Sequence, residues 1–436
     1  MKKLTVLFLT LIVTISCEEK NSKKQNVNTS DIDLFWNVYD QVIQEKDSLQ
    51  QVELIQTEYI DKGSIGLEKI IQVRNYSAEQ YVELINKYPR YWNSIRSNTL
   101  KVDSLTNELN QGIAKLKNIY PKMKPAKIYF TIGAMRTNGT TMDSLVLIGS
   151  ELAMADTGTD ISEFEGRTKE WLETYFETNP IDGLVLLNVH EYVHTQQNQV
   201  PNNLLYQVLY EGVAEFVSVK AMKKPSDVPA IAFGKNNPKV KETFEKEMFF
   251  ERTSDWMWSN STNKFNVRDL GYYIGYAIAE KHYNKAEDKQ KAIATLIELD
   301  YSKAKEIDKF INQTSFFSKP IEQLRKEFEQ SQPTVISIQP FENGSQSVNI
   351  KTNQLTIKFS EPMIHRRNFD FGPLGEDAVV RFKNEIGYSE NDTKYTFEIE
   401  ELKPDKRYQI TIGSGFQSRD SIPLRPYLID FKTSDQ

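Results

Sequence analysis

The feature that most constrains the fold is a change of hydrophobic period at Gln332-Pro333. From Asp31 to that point, apolar residues recur mainly at the three- and four-residue spacing of helices. After it, short runs of branched and aromatic residues alternate with turn residues, which is typical of strands. The predicted strands are Thr334–Ile338, Leu355–Phe359, Ala378–Phe382, Lys394–Ile399, Tyr408–Ile412 and Leu428–Lys432. The 436-residue chain therefore needs more than one hydrophobic core, and we predict a multidomain protein.

About seven short strands in roughly a hundred residues are typical of an immunoglobulin-like sandwich. The run from Leu402 to Tyr408 resembles a tyrosine corner, in which the phenol hydroxyl bonds to an upstream backbone group. The run Phe359–Met363 resembles the bacterial Ig-like modules of surface proteins. We predict an all-β Ig-like sandwich over residues 332–436, which could bind a cell-surface protein or polysaccharide.

The chain begins with two lysines and an apolar run, Leu4–Ile15, of signal-peptide length. The segment Thr14–Cys17 resembles a lipobox, and Cys17 is the single cysteine. An ordinary cleaved signal with an incidental cysteine is the alternative. We predict a lipoprotein signal peptide at residues 1–17, lipidation of Cys17, and a flexible tether at residues 18–30. The protein would then be anchored in the bacterial cell envelope, on the periplasmic or the cell-surface side.

Residues 31–331 are predicted to form one mainly helical, α+β domain with a small antiparallel sheet. Its first part, residues 31–125, is helical throughout. In the second part, residues 126–331, the runs Lys127–Gly133 and Ser144–Gly149 have strand composition, and helices follow. Because a turn dipeptide lies between the two runs, they are expected to pair as an antiparallel hairpin.

Within the second part, the sequence His190-Glu191-Tyr-Val-His194 lies in a helix predicted to begin at Asn179. His190 and His194 are one helical turn apart and can reach one metal ion, and Glu191 can take a proton from a metal-bound water. This H-E-x-x-H pattern is the zinc-peptidase signature. A chance match is rare because the chain has four histidines. Two surface histidines are the alternative, but Leu184 on the same stripe points inward.

A catalytic zinc site uses three protein ligands and one open position. No third histidine follows closely, so an acidic residue is the next candidate. A second helix, predicted over residues 204–220, carries Glu211 and Glu215 on one face, with Gly212 where this helix approaches the helix of the two histidines. One carboxylate can bind the metal and the other can fix a histidine ring. A solvated helix face is the alternative.

H-E-x-x-H followed by E-G-x-A-E-F at residues 211–216 resembles the gluzincins, including thermolysin and the aminopeptidase N type. Among them it most resembles bacterial predicted zinc-dependent proteases and gliding-motility lipoproteins, over roughly residues 31–330. The resemblance implies a zincin-like peptidase domain with Zn²⁺ as cofactor. It also implies that Glu211 is the third ligand and that Glu215 is the partner of His190. The interval from His194 to Glu211 is slightly shorter than in the aminopeptidases.

The segment 268–276 has the Y-x-x-G spacing of the aminopeptidase tyrosine that stabilises the transition state. This resemblance implies that Tyr272 stabilises the transition state, and Tyr273 is its direct neighbour. The alternative is that these clustered tyrosines serve only in packing. His282 is a second candidate for this donor and otherwise a surface residue of its helix, and His365 is expected to be structural. By the same resemblance, an edge strand containing residues 139–141 would line the cleft, and Glu151 could read a substrate amino terminus.

These observations predict zinc-dependent hydrolysis of peptide bonds by an envelope-anchored lipoprotein, with Glu191 as general base. The alternative is a catalytically idle zincin-fold lipoprotein that binds or scaffolds within a cell-surface or motility machine. A third class would use the Ig-like domain to bind envelope protein or polysaccharide. The intact Glu191 favours the enzyme, because a scaffold needs no general base. Nucleic-acid-binding proteins normally present a basic face, and nothing in the net charge of -6 suggests one, so no nucleic-acid partner is expected.

Overall fold

The computed structural model describes residues 26–258 and 263–435. The predicted signal peptide and Cys17 lie outside these residues. The described chain falls into two compact units. The first unit comprises the residues up to Ile113 together with Pro125–Glu165 and Leu172–Asn188, and the second comprises Ala114–Lys124, Gly166–Trp171 and the chain from Val189 onward. Within residues 26–258 and 263–435, every helix is too short or too polar to cross a bilayer.

The amino-terminal part is mostly helical, as its hydrophobic period predicts. Its helices are α1 Ser30–Val42, α2 Ser48–Leu54, α3 Ile65–Arg74, α4 Ala78–Lys87, α5 Pro89–Thr99 and α6 Val102–Ile119, with a π-helical segment at Ile55–Ile60. Side-chain caps define several helix starts: Asp47 and Ser64 accept backbone N–H groups, and Ser77 forms a capping box with Gln80. Buried aromatic rings, among them Phe35 and Trp92, form the core.

A small sheet lies in the first unit, with strands β1 Val27–Asn28, β2 Lys127–Thr131, β3 Gly139–Met142 and β4 Leu145–Gly149. The strand order is β1-β2-β4-β3. The predicted antiparallel hairpin of β2 with β4 is wrong, because these strands pair in parallel. The hairpin is formed instead by β3 and β4, which are joined by a tight turn with Asp143 in the left-handed conformation. The alternation of apolar residues and the positions of turn residues predict strands, but they do not predict which strands pair with each other.

The first strand, β1, falls inside the range predicted as a tether. Val27 and Asn28 pair in parallel with Ile128 and Tyr129, and the Val27 side chain is buried. The first unit therefore begins before Asp31. Although Val27 and Asn28 lie in a polar segment, their backbone forms the edge of the sheet.

The remaining helices are α7 Ser150–Ala153, α8 Gly166–Phe176, α9 Leu184–His194, α10 Leu204–Met222, α11 Pro229–Lys235, α12 Pro238–Glu247, α13 Leu270–Lys285, α14 Lys289–Ile297, α15 Ala304–Thr314 and α16 Ile321–Ser331. Helix α9 begins later than predicted. Asn179 is left-handed and makes no capping bond, and a 3-10 turn at Pro180–Gly183 precedes the α-helix. Helix α10 is capped by Asn203, whose side chain accepts the Tyr206 N–H.

Helices α10 and α13 cross at a point of very close backbone approach. A Cβ on Gly212 would lie 2.2 Å from the Tyr276 nitrogen, and one on Gly275 would lie 1.8 Å from the Val208 oxygen. Only glycine fits at these two positions. Gly212 therefore faces α13 and not the helix of the two histidines, and the crossing brings the first turns of α13 beside the acidic residues of α10.

Beyond α16 the second unit is all β. A four-stranded antiparallel sheet has the order β5-β6-β9-β8, and a three-stranded antiparallel sheet has the order β11-β10-β7. The strands are β5 Val335–Gln339, β6 Gln354–Phe359, β7 Phe369–Asp370, β8 Phe382–Ser389, β9 Lys394–Ile399, β10 Arg407–Ile412 and β11 Tyr427–Lys432. Buried side chains of both sheets, such as Ile357, Phe397 and Ile429, form one core. The architecture is that of an Ig-like sandwich.

One predicted strand of this sandwich is wrong. Residues Glu376–Ala378 form a 3-10 turn after Gly375, whose φ is 72°, and the strand begins only at Phe382. The predicted tyrosine corner is present, because the Tyr408 hydroxyl accepts the Lys403 N–H at 2.8 Å.

Candidate metal centre

The two histidines of α9 converge on one point. His190 and His194 are buried, and their Nε2 atoms lie 3.0 Å apart. This proximity follows from the helix itself, since residues at i and i+4 share a face.

Helix α10 brings a carboxylate to the same point. The Glu211 Oε2 atom lies 3.2 Å from His194 Nε2 and 3.4 Å from His190 Nε2. Zinc bonds of about 2.0–2.1 Å at tetrahedral angles put ligand atoms about 3.3 Å apart. The three donor atoms therefore have the separations, and the nitrogen and oxygen chemistry, that a tetrahedral zinc site requires.

Each imidazole is also held from its opposite side. His190 Nδ1 donates to Glu215 Oε2 at 2.9 Å, and the Ser226 hydroxyl donates to the other oxygen of Glu215. The structure thus places Glu215 on His190, the position that the gluzincin resemblance implies. Ser226 was not singled out from the sequence, because it reaches the site from the loop after α10.

The partner of His194 was also missed in the sequence. Gln197 Oε1 lies 2.7 Å from His194 Nδ1, and the ring of Tyr210 stacks on the His194 ring with centroids 4.4 Å apart. The available signal was a polar residue three positions after the second histidine, at the end of α9.

The charges of the site are coupled. Burial acts to raise the pKa of Glu211, but the positive charges and hydrogen bonds of His194 and His190 outweigh it, so that the pKa lies well below its usual range. Burial acts to lower the pKa of His190, but its hydrogen bonds to Glu211 and Glu215 outweigh this effect and raise the pKa to about 10. The carboxylates therefore favour positive charge at the point where the donor atoms meet, which is the electrostatic environment a cation needs.

Glu191 lies beside the ligands. Its side chain is buried, and its negative charge raises the pKa values of His190 and Tyr210. These effects place the carboxylate close to both rings.

The tyrosines of α13 divide between two surroundings. The centroid of the Tyr272 ring lies 6.1 Å from that of the His190 ring, and the Tyr272 hydroxyl bonds to Glu211. Burial, and after it the negative charge of Glu211, holds the pKa of Tyr272 well above the usual value. Tyr273 packs instead against Gly234 of α11, where an added Cβ would meet its ring at 2.2 Å. Of the two neighbours, Tyr272 is the one at the centre.

The other two histidines have different surroundings. The His282 ring packs on Phe310 at 4.9 Å, and its Nε2 atom is buried without a hydrogen-bond partner among the described residues. It is neither a group of the centre nor a plain surface residue. His365 lies in the Ig-like sandwich, where its Nε2 atom pairs with Asp392 at 3.1 Å.

In the first unit, Glu151 is fully buried. Its two oxygens accept the backbone N–H groups of Gly133 at 2.7 Å and Met135 at 3.0 Å. Burial raises its pKa to about 7. Since both oxygens are occupied and no part of the side chain is exposed, Glu151 holds the β2–β3 loop and does not read a substrate. The residues predicted to line a cleft, 139–141, lie in the edge strand β3 and are partly exposed.

The fold defines a class of protein in which a mostly helical region carries this site and an Ig-like sandwich follows it. Comparison with known proteins sharpens it. Residues 20–255 match the family described as gliding motility protein GldB, a lipoprotein family, and residues 329–433 match the bacterial Ig-like domain. Because the first match spans more than half of the chain, the protein belongs to the family of gliding motility protein GldB. The predicted resemblance to gliding-motility lipoproteins and the predicted Ig-like domain are confirmed, and membership supports association with the cell envelope.

Other comparisons add little. No curated protein matches the chain. Among solved structures, surface layer protein SbsC (domains 1–6) matches at 13% identity over 76% of this chain, with a TM-score of 0.19. The match spans 46% of the SbsC chain.

Proposed function

We propose that the protein works as a component of a cell-surface machine of the gliding-motility type, anchored in the envelope through lipidated Cys17. Family membership supports this role. The Ig-like sandwich supports it as well, because such a domain offers a surface for a cell-surface protein or polysaccharide.

We further propose that this component holds a zinc ion through His190, His194 and Glu211 in a gluzincin-like arrangement. The observation that carries the proposal is the set of three buried donor atoms 3.0–3.4 Å apart. Both histidines are also bonded at Nδ1, which aims Nε2 at the common point. Burial of both rings argues against two surface histidines.

A second candidate function, hydrolysis of peptide bonds, is favoured by Glu191. A scaffold that only holds a metal has no need of a buried carboxylate next to the first ligand. Zinc, when bound, supplies a Lewis acid that polarises a carbonyl and lowers the pKa of a water. Glu191 would take the proton of that water and pass it to the leaving amine, and Tyr272 would donate to the developing oxyanion.

One set of variants separates the two functions. Wild type and Glu191→Gln should contain zinc, whereas His190→Ala should not. If the protein is a hydrolase, Glu191→Gln should lower turnover of a mixed peptide pool by about 100-fold to 10,000-fold. If Glu191→Gln restores surface spreading of a deletion strain as well as wild type does and His190→Ala does not, the machine needs the zinc-bound fold and not hydrolysis. Absence of zinc from the wild type would contradict both functions of the centre.

The anchor has its own test. Cys17→Ser should move the protein from the membrane fraction to the soluble fraction, since the lipid is the proposed attachment. Retention of Cys17→Ser in the membrane fraction would contradict lipid anchoring as the means of attachment.

A further inference from the structure

The two histidine ligands are held by partners of different chemistry. His190 donates from Nδ1 to the carboxylate of Glu215, whereas His194 Nδ1 faces the side-chain amide of Gln197 at 2.7 Å. A carboxylate can only accept a hydrogen bond, but an amide can present either its oxygen or its nitrogen. The orientation of the Gln197 amide therefore decides which tautomer His194 adopts.

A second hydrogen bond settles that orientation. The Gln197 Nε2 group donates to the backbone oxygen of Tyr210 at 3.0 Å. Rotation of the amide by half a turn would put its oxygen against that carbonyl oxygen and lose the bond. The amide oxygen must therefore face His194, which donates from Nδ1 and leaves Nε2 as the unprotonated atom. That atom lies 3.2 Å from Glu211 and 3.0 Å from His190 Nε2.

The same Tyr210 also limits rotation of the His194 ring. Its phenol ring lies on the imidazole face, with centroids 4.4 Å apart and planes 15° apart. Tyr210 therefore holds the imidazole through its ring and holds Gln197 through its backbone, which joins the end of α9 to α10.

We propose that Gln197 is a positioning residue that fixes the tautomer and the direction of His194 for zinc, an inference that rests on the zinc centre proposed above. A neutral amide suits the charge of the site. With zinc bound, the charges of Glu211 and Glu215 balance the ion, and Glu191 adds one further negative charge nearby. Gln197 orients His194 without adding a buried charge that would need a partner.

The test is zinc affinity, measured by competition with a chromogenic chelator on the full chain. Gln197→Leu keeps the approximate size of the side chain but has no acceptor, and it should weaken zinc binding by about 10–100-fold. Gln197→Glu keeps an oxygen for His194 but loses the bond to the Tyr210 carbonyl and adds a negative charge, so it should bind zinc less tightly than the wild type and more tightly than Gln197→Leu.

The matched control is Gln196→Leu. This neighbouring glutamine bonds to the backbone of Lys124, accepting at 2.7 Å and donating at 3.2 Å, and should leave zinc affinity unchanged. Wild-type affinity in Gln197→Leu, an equal loss in Gln196→Leu, or a loss in Gln197→Glu as large as that in Gln197→Leu would each overturn the proposal.

A measurement on the wild type keeps the proposal testable even if a variant folds poorly. The chain has four histidines, so imidazole nitrogen resonances can be assigned by single replacements. In the zinc-free protein, where no metal bond fixes the tautomer, His194 should show a protonated Nδ1, and a dominant neutral Nε2–H form would overturn the role of Gln197. A wild type that binds no zinc would instead overturn the proposed zinc centre, which distinguishes the two failures.

Discussion

Two buried glutamates, one in each compact unit, have opposite ionisation behaviour. Glu211 has a pKa well below its usual range, whereas Glu151 has a pKa raised to about 7. Burial penalises the charge of both. The difference comes from their partners: Glu211 faces His190 and His194, while Glu151 accepts backbone N–H groups, among them those of Gly133 and Met135.

The comparison shows that burial alone does not mark a functional carboxylate. A buried carboxylate that stays ionised is ready to bind a cation, because a carboxylate ligand must be deprotonated. A buried carboxylate held by neutral amides stabilises a loop and accepts a proton near neutral pH. Glu211 thus has the features of a ligand, and Glu151 those of a structural residue.

The largest expected effect tests whether Glu211 is a metal ligand and Glu151 is not. Glu211→Ala should lower zinc affinity by more than the roughly 10–100-fold typical of an outer partner, because a direct ligand is lost. His190→Ala and His194→Ala should do the same, while Glu151→Gln should keep zinc. Metal content by atomic spectroscopy after dialysis reports the result. Full occupancy in Glu211→Ala would reject it as a ligand and make Glu215 the next acid to replace.

A second prediction extends the comparison to the tyrosine that bonds to Glu211. If the centre hydrolyses peptides, Tyr272→Phe should lower turnover by about 100-fold or more with zinc content unchanged, because one oxyanion donor is lost. Tyr273→Phe is the matched control, since Tyr273 packs on Gly234 and should retain the wild-type rate. A large loss in Tyr273→Phe with a normal rate in Tyr272→Phe would reverse the assignment.

A third prediction concerns the structural carboxylate. Between pH 4.5, the usual pKa, and about 7, folded Glu151 keeps a proton that the unfolded chain has released. Stability should therefore fall as pH rises through this interval, by roughly 3 kcal/mol in total.

Urea unfolding of the wild type and Glu151→Gln at several pH values isolates this contribution of Glu151, because other titrating groups are common to both proteins. The variant loses one acceptor and should be less stable at low pH, but the difference should shrink as pH rises. A difference that is constant from pH 4.5 to 8 would contradict the raised pKa.

The smallest expected effect tests whether the centre depends on the Ig-like sandwich. A chain ending at Ser331, the last residue of α16, should keep zinc, because the groups of the centre come from α9, α10 and α13 and from the loops after α9 and α10. Contacts to the sandwich, such as Ser414 with Glu251, involve other residues. Loss of zinc on truncation would show that the helical region and the sandwich fold as one unit.

The sequence by itself determined the features that depend on local spacing. His190 and His194 share a face because a helical turn brings i and i+4 together. The tyrosine corner of Tyr408 depends on a hydrogen bond across five positions. Gly212 indicated that another helix comes close to α10, although not that this helix is α13.

Only the tertiary structure decided which distant segments meet. Period-two alternation is the same for parallel and antiparallel neighbours, so the pairing of β2 with β4 was not readable. The choice of Tyr272 over Tyr273 depends on how α13 is rotated against α10. Gln197 becomes the partner of His194 because the Tyr210 carbonyl orients its amide. The role of Glu151 depends on the loop that folds around its side chain. Contacts between residues far apart in sequence depend on tertiary packing, and the local spacing of residues does not predict them.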